Sequence, residues 1–394
     1  MTMPWSSIDL KATGFTACVA QLSTTDERGA PLLSVLVKRT YVLDGDACVI
    51  APEQVPLLPL RVDPEEPEAV LDEADIWPMK RLTDIVVRGH AYPQAPRGEG
   101  SAAVGIGELT KEIAVIGDRR ASLHRGRVVF SEPAPVHKVP LRYSHAYGGV
   151  DRVAEAKYGN PHEALKPYLS PMLKGWRYSP YRYPRNGVGK GFLIEATAEA
   201  LAAITLPNLE DPADRLTPSR LAAGSPLAWP RMPLPWCTDW ASMASFPRYA
   251  YIGGSPEHEP LPDDFPEVHR GFLVRGYPRR GGPPEEMFSD RVFNAGSLGL
   301  QIGPITPVAV GGIVFRLSHL HPRRPQITFR LPSNAPVIKA DGRNGKLLHT
   351  DPVLHHVVIE PDLDRVSVVW RGAAPALRRY TLEELVDMPL EVNW

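Results

Sequence analysis

Histidines in the C-terminal third are the first residues whose types and spacing could do chemistry. They are His319, His321, His349, His355 and His356. Two histidines at positions i and i+2 of a strand share one face and could bind a single metal ion. Arg323 and Arg324 follow the pair His319 and His321, and two cations there would oppose metal binding. The favoured interpretation is therefore exposed or core-capping imidazoles, with a metal site as the alternative.

A second candidate is the glycine-rich stretch PRNGVGKGF, residues 184–192. A phosphate-binding loop has the pattern G-x-x-x-x-G-K-[ST] between a strand and a helix, so that backbone N–H groups surround the phosphates. Here Lys190 is followed by glycine rather than by Ser or Thr. The spacing of Gly187, Gly189 and Gly191 also differs from that pattern. We therefore expect a tight turn that uses the access of glycine to positive φ.

Other catalytic patterns find no support in the sequence. No G-x-S-x-G elbow occurs, and Ser255 and Ser297 lie in glycine loops without a strand-to-helix turn. Cys237 lacks a local protease signature, so a buried cysteine is expected there. Asp263 and Asp264 are adjacent, and on an extended chain their carboxylates would point apart instead of flanking a bond. We therefore expect neither enzyme activity nor a bound metal or cofactor.

The composition is that of an ordinary globular protein. Of the 394 residues, 43% are hydrophobic and 23% are charged. The net charge of -1 provides no overall field to attract nucleic acid or an anionic membrane. Three cysteines without a C-x-x-C pair indicate neither a disulfide framework nor a thiolate zinc site. Because no signal-like segment and no long apolar window is found, a cytoplasmic location is expected.

Local patterns predict mostly short strands. Proline accounts for 43 residues, and because proline ends helices and is excluded from central strands, short elements joined by shaped loops are expected. Two hairpins are expected, one through the polar turn Pro361 to Asp364 and one joining 101–109 to 111–119. Runs rich in valine and isoleucine predict strands at 32–43, 83–92, 111–119, 127–130, 139–147, 311–320, 326–332, 355–361 and 365–372.

Helical pattern is confined to two short segments. Residues 194–204 carry Ala and Leu at helical spacing, and residues 380–388 begin with a capping box formed by Thr381 and Glu384. Strands without long intervening helices favour antiparallel sheets. We therefore expect a mainly β fold, an antiparallel β-sandwich or barrel-like body with many loops shaped by proline and glycine and a few short helices.

The expected domain organisation follows from a change in sequence near residue 205, where strand patterns give way to a proline-rich stretch that is mostly loop. We expect residues 1–204 to form a β-rich N-terminal part. Residues 205–394 should supply a loop-rich segment and the C-terminal strands, packed on the same body. The loop-rich stretch carries aromatic residues such as Trp229, Trp236 and Trp240. Since disordered linkers are poor in aromatic residues, this stretch is not expected to be a free linker.

Five motifs in a fixed order lie between residues 80 and 212. They combine glycine or proline with aromatic residues and with Asp or Asn, whose side chains bind backbone donors in loops. Such loops either brace the fold or are held in shape for a partner. The matching residues are Lys80, Thr83, Asp84, Gly89, Ala91, Gly107, Lys111, Val115, Gly117, Asp118, Arg119, Pro140, Leu141, Tyr143, Ala146, Tyr147, Gly148, Gly149, Asp151, Asn186, Gly187, Gly189, Gly191, Phe192, Leu206, Pro207, Asn208, Glu210 and Pro212.

This ordered series resembles a bacterial domain of unknown function from type VI secretion gene clusters, over roughly residues 20–330. Members of that family are encoded beside VgrG spike proteins, PAAR-like tip proteins and toxic effectors, and act as adaptors that help load an effector onto the spike. The resemblance implies a non-enzymatic adaptor or chaperone whose partners are an effector toxin, a PAAR-like tip protein and/or the VgrG spike. The net charge of -1 leads us to expect no nucleic acid or membrane partner. The resemblance implies a cytoplasmic protein that could be carried with the secretion tip.

The sequence departs from the family pattern at two places. An insertion separates Asn160-Pro161 from Asn186-Gly187, and the sequence CTDW, residues 237–240, replaces the usual Y-D-x-x-W. The insertion is rich in aromatic residues and arginine, which dominate interface hot spots. Packing of these aromatic residues against a long loop is the alternative. The expected partner-binding residues are Trp176, Arg177, Tyr178, Tyr181 and Arg182.

Two functions of other classes remain open from the residues alone. One is a metal-assisted hydrolase that uses the C-terminal histidines, which metal analysis of the purified chain would detect. The other is a carbohydrate-binding β-sandwich, in which scattered Trp and Tyr side chains would serve as sugar platforms. Glycan binding would distinguish that second function from the adaptor.

Overall fold

A computed structural model describes residues 19–25, 30–58, 61–62, 70–72, 75–76, 80, 82–94, 97–147, 151–158, 193–224, 228, 230 and 299–394. In chain order the strands are β1 (Val19–Thr25), β2 (Pro31–Asp44), β3 (Ala47–Ile50), β4 (Arg61–Val62), β5 (Val70–Asp72), β6 (Thr83–Val87), β7 (His90–Ala91), β8 (Glu99–Ile106), β9 (Leu109–Ile116), β10 (Ala121–His124), β11 (Arg127–Phe130), β12 (Val139–Pro140), β13 (Leu209–Glu210), β14 (Gln301–Ile302), β15 (Val314–Ser318), β16 (Gln326–Arg330), β17 (Val337–Ala340), β18 (Leu348–His349), β19 (Val353–Glu360), β20 (Arg365–Pro375) and β21 (Leu390–Asn393).

The helices in the described residues are short. Within these ranges, none has the length and apolar character needed to span a bilayer. The α-helices are α1 (Tyr143–Tyr147), α2 (Arg152–Tyr158), α3 (Ala198–Ala203), α4 (Pro218–Leu221) and α5 (Leu382–Val386). Single 3-10 turns are formed by Val310–Gly312 and Pro361–Leu363.

The larger sheet has seven strands in the order β1-β2-β20-β19-β6-β14, with β3 also paired to β2. Its longest strand, β2, combines β-branched, aromatic and leucine residues and is buried on both faces through most of its length. All pairings in this sheet are antiparallel except that of β6 with β19, which is parallel. The parallel pair was not predicted, because β6 and β19 are distant in the chain and no local connection sets their relative direction.

The second sheet has five antiparallel strands in the order β13-β9-β8-β15-β16. Its hairpin between β8 and β9 closes between Ile106 and Leu109, and Gly107 in the turn has φ +58. The left-handed conformation of that turn favours glycine. The hairpin between β19 and β20 turns through Pro361–Leu363, with Asp364 at φ 49. Both predicted hairpins are therefore confirmed.

The two sheets pack face to face around one hydrophobic core. Trp370 and Ile85 enter this core from the seven-stranded sheet, and Val115 enters it from the five-stranded sheet. Phe315 and Phe329, also from the five-stranded sheet, stack with their ring centroids 5.1 Å apart. The predicted mainly β fold with few short helices is confirmed. Among the described strands, neither of these sheets closes into a barrel.

Each of the two main sheets contains strands from both sides of residue 205. In the seven-stranded sheet, β2 pairs with β20 and β6 pairs with β19. In the five-stranded sheet, β8 pairs with β15. The C-terminal strands are thus integral to both sheets.

The sequence pattern was wrong for residues 139–147, which were predicted as one strand. Only Val139–Pro140 pair, as β12 with β7, and Tyr143–Tyr147 form helix α1. Pro140 lacks a backbone N–H to extend the ladder. The chain then turns into the helix, where the N–H groups of His145 and Ala146 donate to the carbonyl oxygen of Arg142. A stretch that alternates apolar and polar residues can therefore begin as a strand and end as a helix.

Both predicted helices are confirmed, with shorter bounds. Thr197 caps α3 by accepting a hydrogen bond from the N–H of Ala200. Thr381 and Glu384 form the predicted capping box at the start of α5. Helix α5 and the small sheet β18-β17-β21 pack against one end of the seven-stranded sheet.

Candidate functional site

A cluster of charged side chains is buried on the outer face of the seven-stranded sheet. Because successive side chains of a strand alternate between faces, residues next to core positions point outward. Tyr41, Ile85 and Val357 belong to the shared core. The opposite face carries Lys38 from β2, Asp84 from β6 and His356 from β19, and Asp75, Lys80 and Arg88 join this charged cluster from the loops.

Ion pairs connect the charged cluster across distant parts of the chain. Lys38 Nζ donates to Asp75 Oδ2 at 2.6 Å and to the Pro56 carbonyl oxygen at 3.0 Å. The other oxygen, Asp75 Oδ1, lies 3.2 Å from Arg88 Nη2. Lys80 Nζ donates to Asp84 Oδ2 at 2.5 Å. Charges with so little exposure are tolerated only when they are paired and hydrogen-bonded, as these are.

The electrostatics of Asp75 and His356 are coupled. Burial alone would raise the pKa of Asp75, but Lys38, the His356 hydrogen bond and Arg88 hold this pKa well below its ordinary value. Burial lowers the pKa of His356 to about 4; the nearby Asp75 opposes this effect, and Lys80 and Lys38 add to it. The cluster therefore holds an ionised carboxylate beside a neutral imidazole at neutral pH.

Because His356 is neutral, only one of its two ring nitrogens carries a proton, and the neighbouring groups indicate which one. Its Nδ1 lies 2.6 Å from Nδ1 of His355, and its Nε2 lies 3.4 Å from Asp75 Oδ1. One nitrogen of the short contact must donate and the other must accept. The assignment consistent with an ionised Asp75 gives His355 the Nδ1 proton and directs the Nε2–H of His356 to Asp75.

A second network joins motifs that are far apart in sequence. Asn208 Nδ2 donates to the Ile116 carbonyl oxygen at 3.0 Å and to Asp118 Oδ1 at 3.0 Å. Arg119 donates to the buried carboxylate of Glu210, which also accepts from Arg215 Nε at 2.7 Å. The motif residues after β9 therefore bind the motif residues of β13 directly.

Other motif residues also have structural partners. Asp151 accepts from the N–H of Ala154 and from the N–H of Ile194, each at 2.9 Å, which ties the start of α2 to residue 194. Lys111 lies 3.7 Å from Asp211, and burial lowers its pKa while Asp211 opposes that effect. Gly89 has φ +134, and a Cβ atom at this position would lie 3.0 Å from Asp362 Oδ2. These side chains brace the loops in which the motifs occur.

Of the remaining predicted residues, Tyr143 and Tyr147 are the first and last residues of α1. The others cannot be compared with the structure. The motif glycines Gly148, Gly149, Gly187, Gly189 and Gly191 lie outside the described residues. The same holds for the expected partner-binding residues Trp176, Arg177, Tyr178, Tyr181 and Arg182.

The C-terminal histidines do not form the shared-face pair that their spacing suggested. His319 follows the end of β15 with φ 54, so the strand alternation ends before it, and its Nδ1 meets the Ser101 carbonyl oxygen at 3.0 Å. His321 Nδ1 accepts from the N–H groups of Arg323 and Arg324 at 3.0 and 2.9 Å. In the described part of the chain, no three His, Cys, Asp or Glu side chains are arranged to hold a metal ion.

The sequence analysis named Lys80, Asp84 and His356 of this charged cluster, without predicting that they meet, and missed Lys38, Asp75 and Arg88. The available signal was Lys38, a lysine inside the apolar run of β2. A lysine at such a position must find an acidic partner or lose its charge. That partner, Asp75, lies on a loop, and only the fold shows that the two residues meet.

One comparison with known proteins gives a match. The model of a family described as an uncharacterized protein conserved in bacteria (DUF2169) matches residues 28–371. This match begins just before β2 and ends within β20, so it includes nearly all strands of the two main sheets. None of the curated proteins and none of the solved structures matches the chain.

Proposed function

Because this chain belongs to the DUF2169 family of bacterial proteins, we propose that its task is the one implied by the motif resemblance, a non-enzymatic adaptor or chaperone. In this proposal it binds a type VI secretion effector and/or a PAAR-like tip protein in the cytoplasm and helps load it onto the VgrG spike. The adaptor then either stays behind or travels with the tip.

The observation that carries the proposal is the internal pairing of the motif residues. Arg119 binds Glu210, and Asn208 binds Asp118, so residues from two separate motifs hold each other. These bonds fix the loops around β9 and β13 to one rigid sheet. A protein that recognises another folded chain benefits from loops ordered before binding, because less conformational entropy is lost in the complex.

The proposed binding surface is the segment 168–183. Its residues Trp176 and Tyr181 belong to the types that dominate interface energies. A stable complex would bury on the order of 1,200 to 2,000 Å² in total. This assignment rests on composition and on the insertion that distinguishes the chain from the family pattern.

The test is a tagged pull-down of the full chain from its own cells, followed by mass spectrometry and metal analysis. Stoichiometric capture of a PAAR-like tip protein, a spike protein or a toxin supports the proposal. A chain that elutes alone with bound metal contradicts it and supports a metal-assisted hydrolase. Selective retention on a glycan array, with no captured protein, would instead support a carbohydrate-binding protein.

The binding surface is tested separately with Trp176→Ala combined with Tyr181→Ala. Capture should fall, while the free energy of unfolding changes by less than about 2 kcal/mol. Val308→Ala is the control, because Val308 is 96% exposed and apolar but lies outside the insertion. Unchanged capture, or unfolding that accompanies the loss of capture, would remove the interface assignment.

A further inference from the structure

The β15–β16 hairpin lies in a segment with a one-sided charge. Residues 291–340 contain no Asp or Glu, although the whole chain has a net charge of -1. The described part of this segment carries Arg316, Arg323, Arg324, Arg330 and Lys339. The basic character is therefore local to this hairpin and its flanks rather than a property of the chain.

Strand β16 is the terminal strand of the five-stranded sheet, and its side chains alternate strictly. Ile327 and Phe329 are buried in the shared core, whereas Gln326, Thr328 and Arg330 are exposed. A terminal strand presents backbone N–H and C=O groups on its outer side, where another strand could pair. In an antiparallel strand only every second residue directs its N–H and C=O groups outward, so the hydrogen bonds of β16 must show which residues these are.

Two backbone hydrogen bonds establish that direction. The N–H of Arg330 donates to the Asp46 carbonyl oxygen at 3.4 Å, and therefore points away from β15. The carbonyl oxygen of Val314, opposite Arg330, accepts from the Gly107 N–H and therefore points away from β16. Because alternate residues of an antiparallel strand direct both backbone groups to the same side, Thr328 also presents its N–H and C=O outward.

Two exposed arginines near this edge, Arg316 and Arg330, bind carbonyl oxygens within the described part of the chain. Arg316 lies directly opposite Thr328 in the ladder, and its Nη1 donates to the Gly107 carbonyl oxygen at 2.8 Å. Arg330 Nη1 contacts the Gly312 carbonyl oxygen at 3.4 Å. A carbonyl oxygen does not neutralise a guanidinium charge. Arg324, in contrast, pairs with the Asp364 carboxylate.

We infer that the outer edge of β16 binds an extended acidic segment of a partner protein by strand addition, with Thr328 pairing backbone to backbone and Arg316 and Arg330 binding carboxylates. The inference deepens the proposed adaptor function, on which it rests, by naming a second contact surface and the chemistry of its partner. Strand addition obtains affinity from main-chain hydrogen bonds and selectivity from neighbouring side chains. A second copy of this chain fits poorly, because pairing two β16 edges would bring like charges together.

The test uses fluorescence anisotropy with the full chain and a labelled peptide of alternating valine and glutamate. The same peptide with lysine in place of glutamate, and the acidic peptide with a central proline, are the ligand controls. Single-stranded RNA and vesicles of anionic phospholipid are titrated in parallel. They distinguish a peptide edge from a surface that binds phosphate.

Thr328→Pro is the informative variant, and Thr328→Val is its matched control. Proline removes the outward N–H but leaves the β15 ladder intact, since that N–H does not face β15. Valine keeps the N–H and the β-branched shape. If Thr328→Pro lowers the melting temperature more than Thr328→Val, the double variant Arg316→Gln with Arg330→Gln replaces it.

The inference predicts that the acidic peptide binds at least about tenfold more tightly than either control peptide, and that Thr328→Pro weakens this binding about tenfold. Thr328→Val should bind within about twofold of the unchanged chain. Equal binding of acidic and basic peptides, no binding of either, or an unaffected Thr328→Pro would overturn the inference. Preferential binding of RNA or vesicles would also overturn it.

The two proposals fail in different ways. If the unchanged chain and Thr328→Pro capture the same secretion protein equally well, the strand-addition site is wrong and the adaptor function stands. If the acidic peptide binds this edge but the pull-down captures no secretion protein, the proposed adaptor function fails by itself.

Discussion

Lys38 and Asp75 form an ion pair of 2.6 Å in which the two side chains are 1% and 0% exposed. Both charges have left water, and each is satisfied by further partners: the Pro56 carbonyl oxygen for Lys38, and Arg88 for Asp75. Such a pair gains little net stability relative to apolar residues, but removal of one member leaves an uncompensated buried charge. The charged cluster therefore holds Asp75 and Lys80 against the outer face of the sheet.

The first prediction concerns this ion pair. Lys38→Met should lower the free energy of unfolding by about 3 to 5 kcal/mol, because Asp75 loses its closest cation. Denaturant unfolding measures the change. Lys339→Met is the control, since Lys339 forms a partly exposed pair with Glu391 at 2.9 Å and should cost about 1 kcal/mol or less. Equal effects of the two substitutions would contradict the prediction.

The second prediction is a pH dependence set by His356. Its pKa is lowered from 6.5 to about 4 by burial. Between those values the unfolded chain binds a proton at His356 that the folded chain does not. The contribution of His356 to the free energy of unfolding is therefore fully present above pH 6.5 and is lost as the pH drops toward about 4. The contribution is about 3 kcal/mol over this window. Asp75, whose pKa is depressed, contributes stability that is lost at still lower pH.

Free energies of unfolding measured between pH 4 and pH 7 test this window. His356→Gln should flatten most of the slope, and a remainder should come from His321, whose pKa burial also lowers. His349→Gln is the matched control, because His349 is exposed on β18. The same slope in both variants would show that His356 does not control the acid dependence.

Local features of the fold could be predicted from the sequence, and non-local ones could not. The apolar run of β2, the hairpin turn through Asp364 and the capping box of Thr381 each depend on neighbouring residues, so their patterns identify them. The pair Lys38 and Asp75 depends on how a loop folds over the sheet. The shared face expected for His319 fails because its φ of 54 ends the strand geometry.

The third prediction concerns the network around Glu210. This buried carboxylate accepts from Arg119, from Arg215 Nε at 2.7 Å and from the Leu216 N–H at 3.1 Å. Glu210→Gln keeps the shape but removes the charge from these hydrogen bonds, so a loss of about 1.5 to 3 kcal/mol is expected. Glu99→Gln is the control because Glu99, which also contacts Arg215, is half exposed. Denaturant unfolding should give a lower free energy of unfolding for Glu210→Gln than for Glu99→Gln. Equal values for the two variants would contradict the bracing role of Glu210.

The fourth prediction concerns Gly117, a motif residue between β9 and Asp118. A Cβ atom at this position would lie 1.8 Å from the Ala134 carbonyl oxygen. The N–H of Ala134 donates to the Asp118 carbonyl oxygen at 2.9 Å, so the two segments are held together and cannot separate without breaking that bond. Gly117→Ala should therefore destabilise the protein by about 2 to 4 kcal/mol.

Gly303→Ala is the matched control, because a Cβ atom at Gly303 would meet nothing within 4 Å. Its melting temperature should stay near that of the unchanged chain, whereas Gly117→Ala should lower it by several degrees. Because the Asn208 side chain binds Asp118, displacement of Gly117 should also loosen the contact with β13. Faster amide exchange at Leu209 and Glu210 would show this loosening. Similar melting temperatures for both alanine variants would mean that the backbone at Ala134 can move away from a Cβ atom at residue 117. Glycine would then not be required at this position.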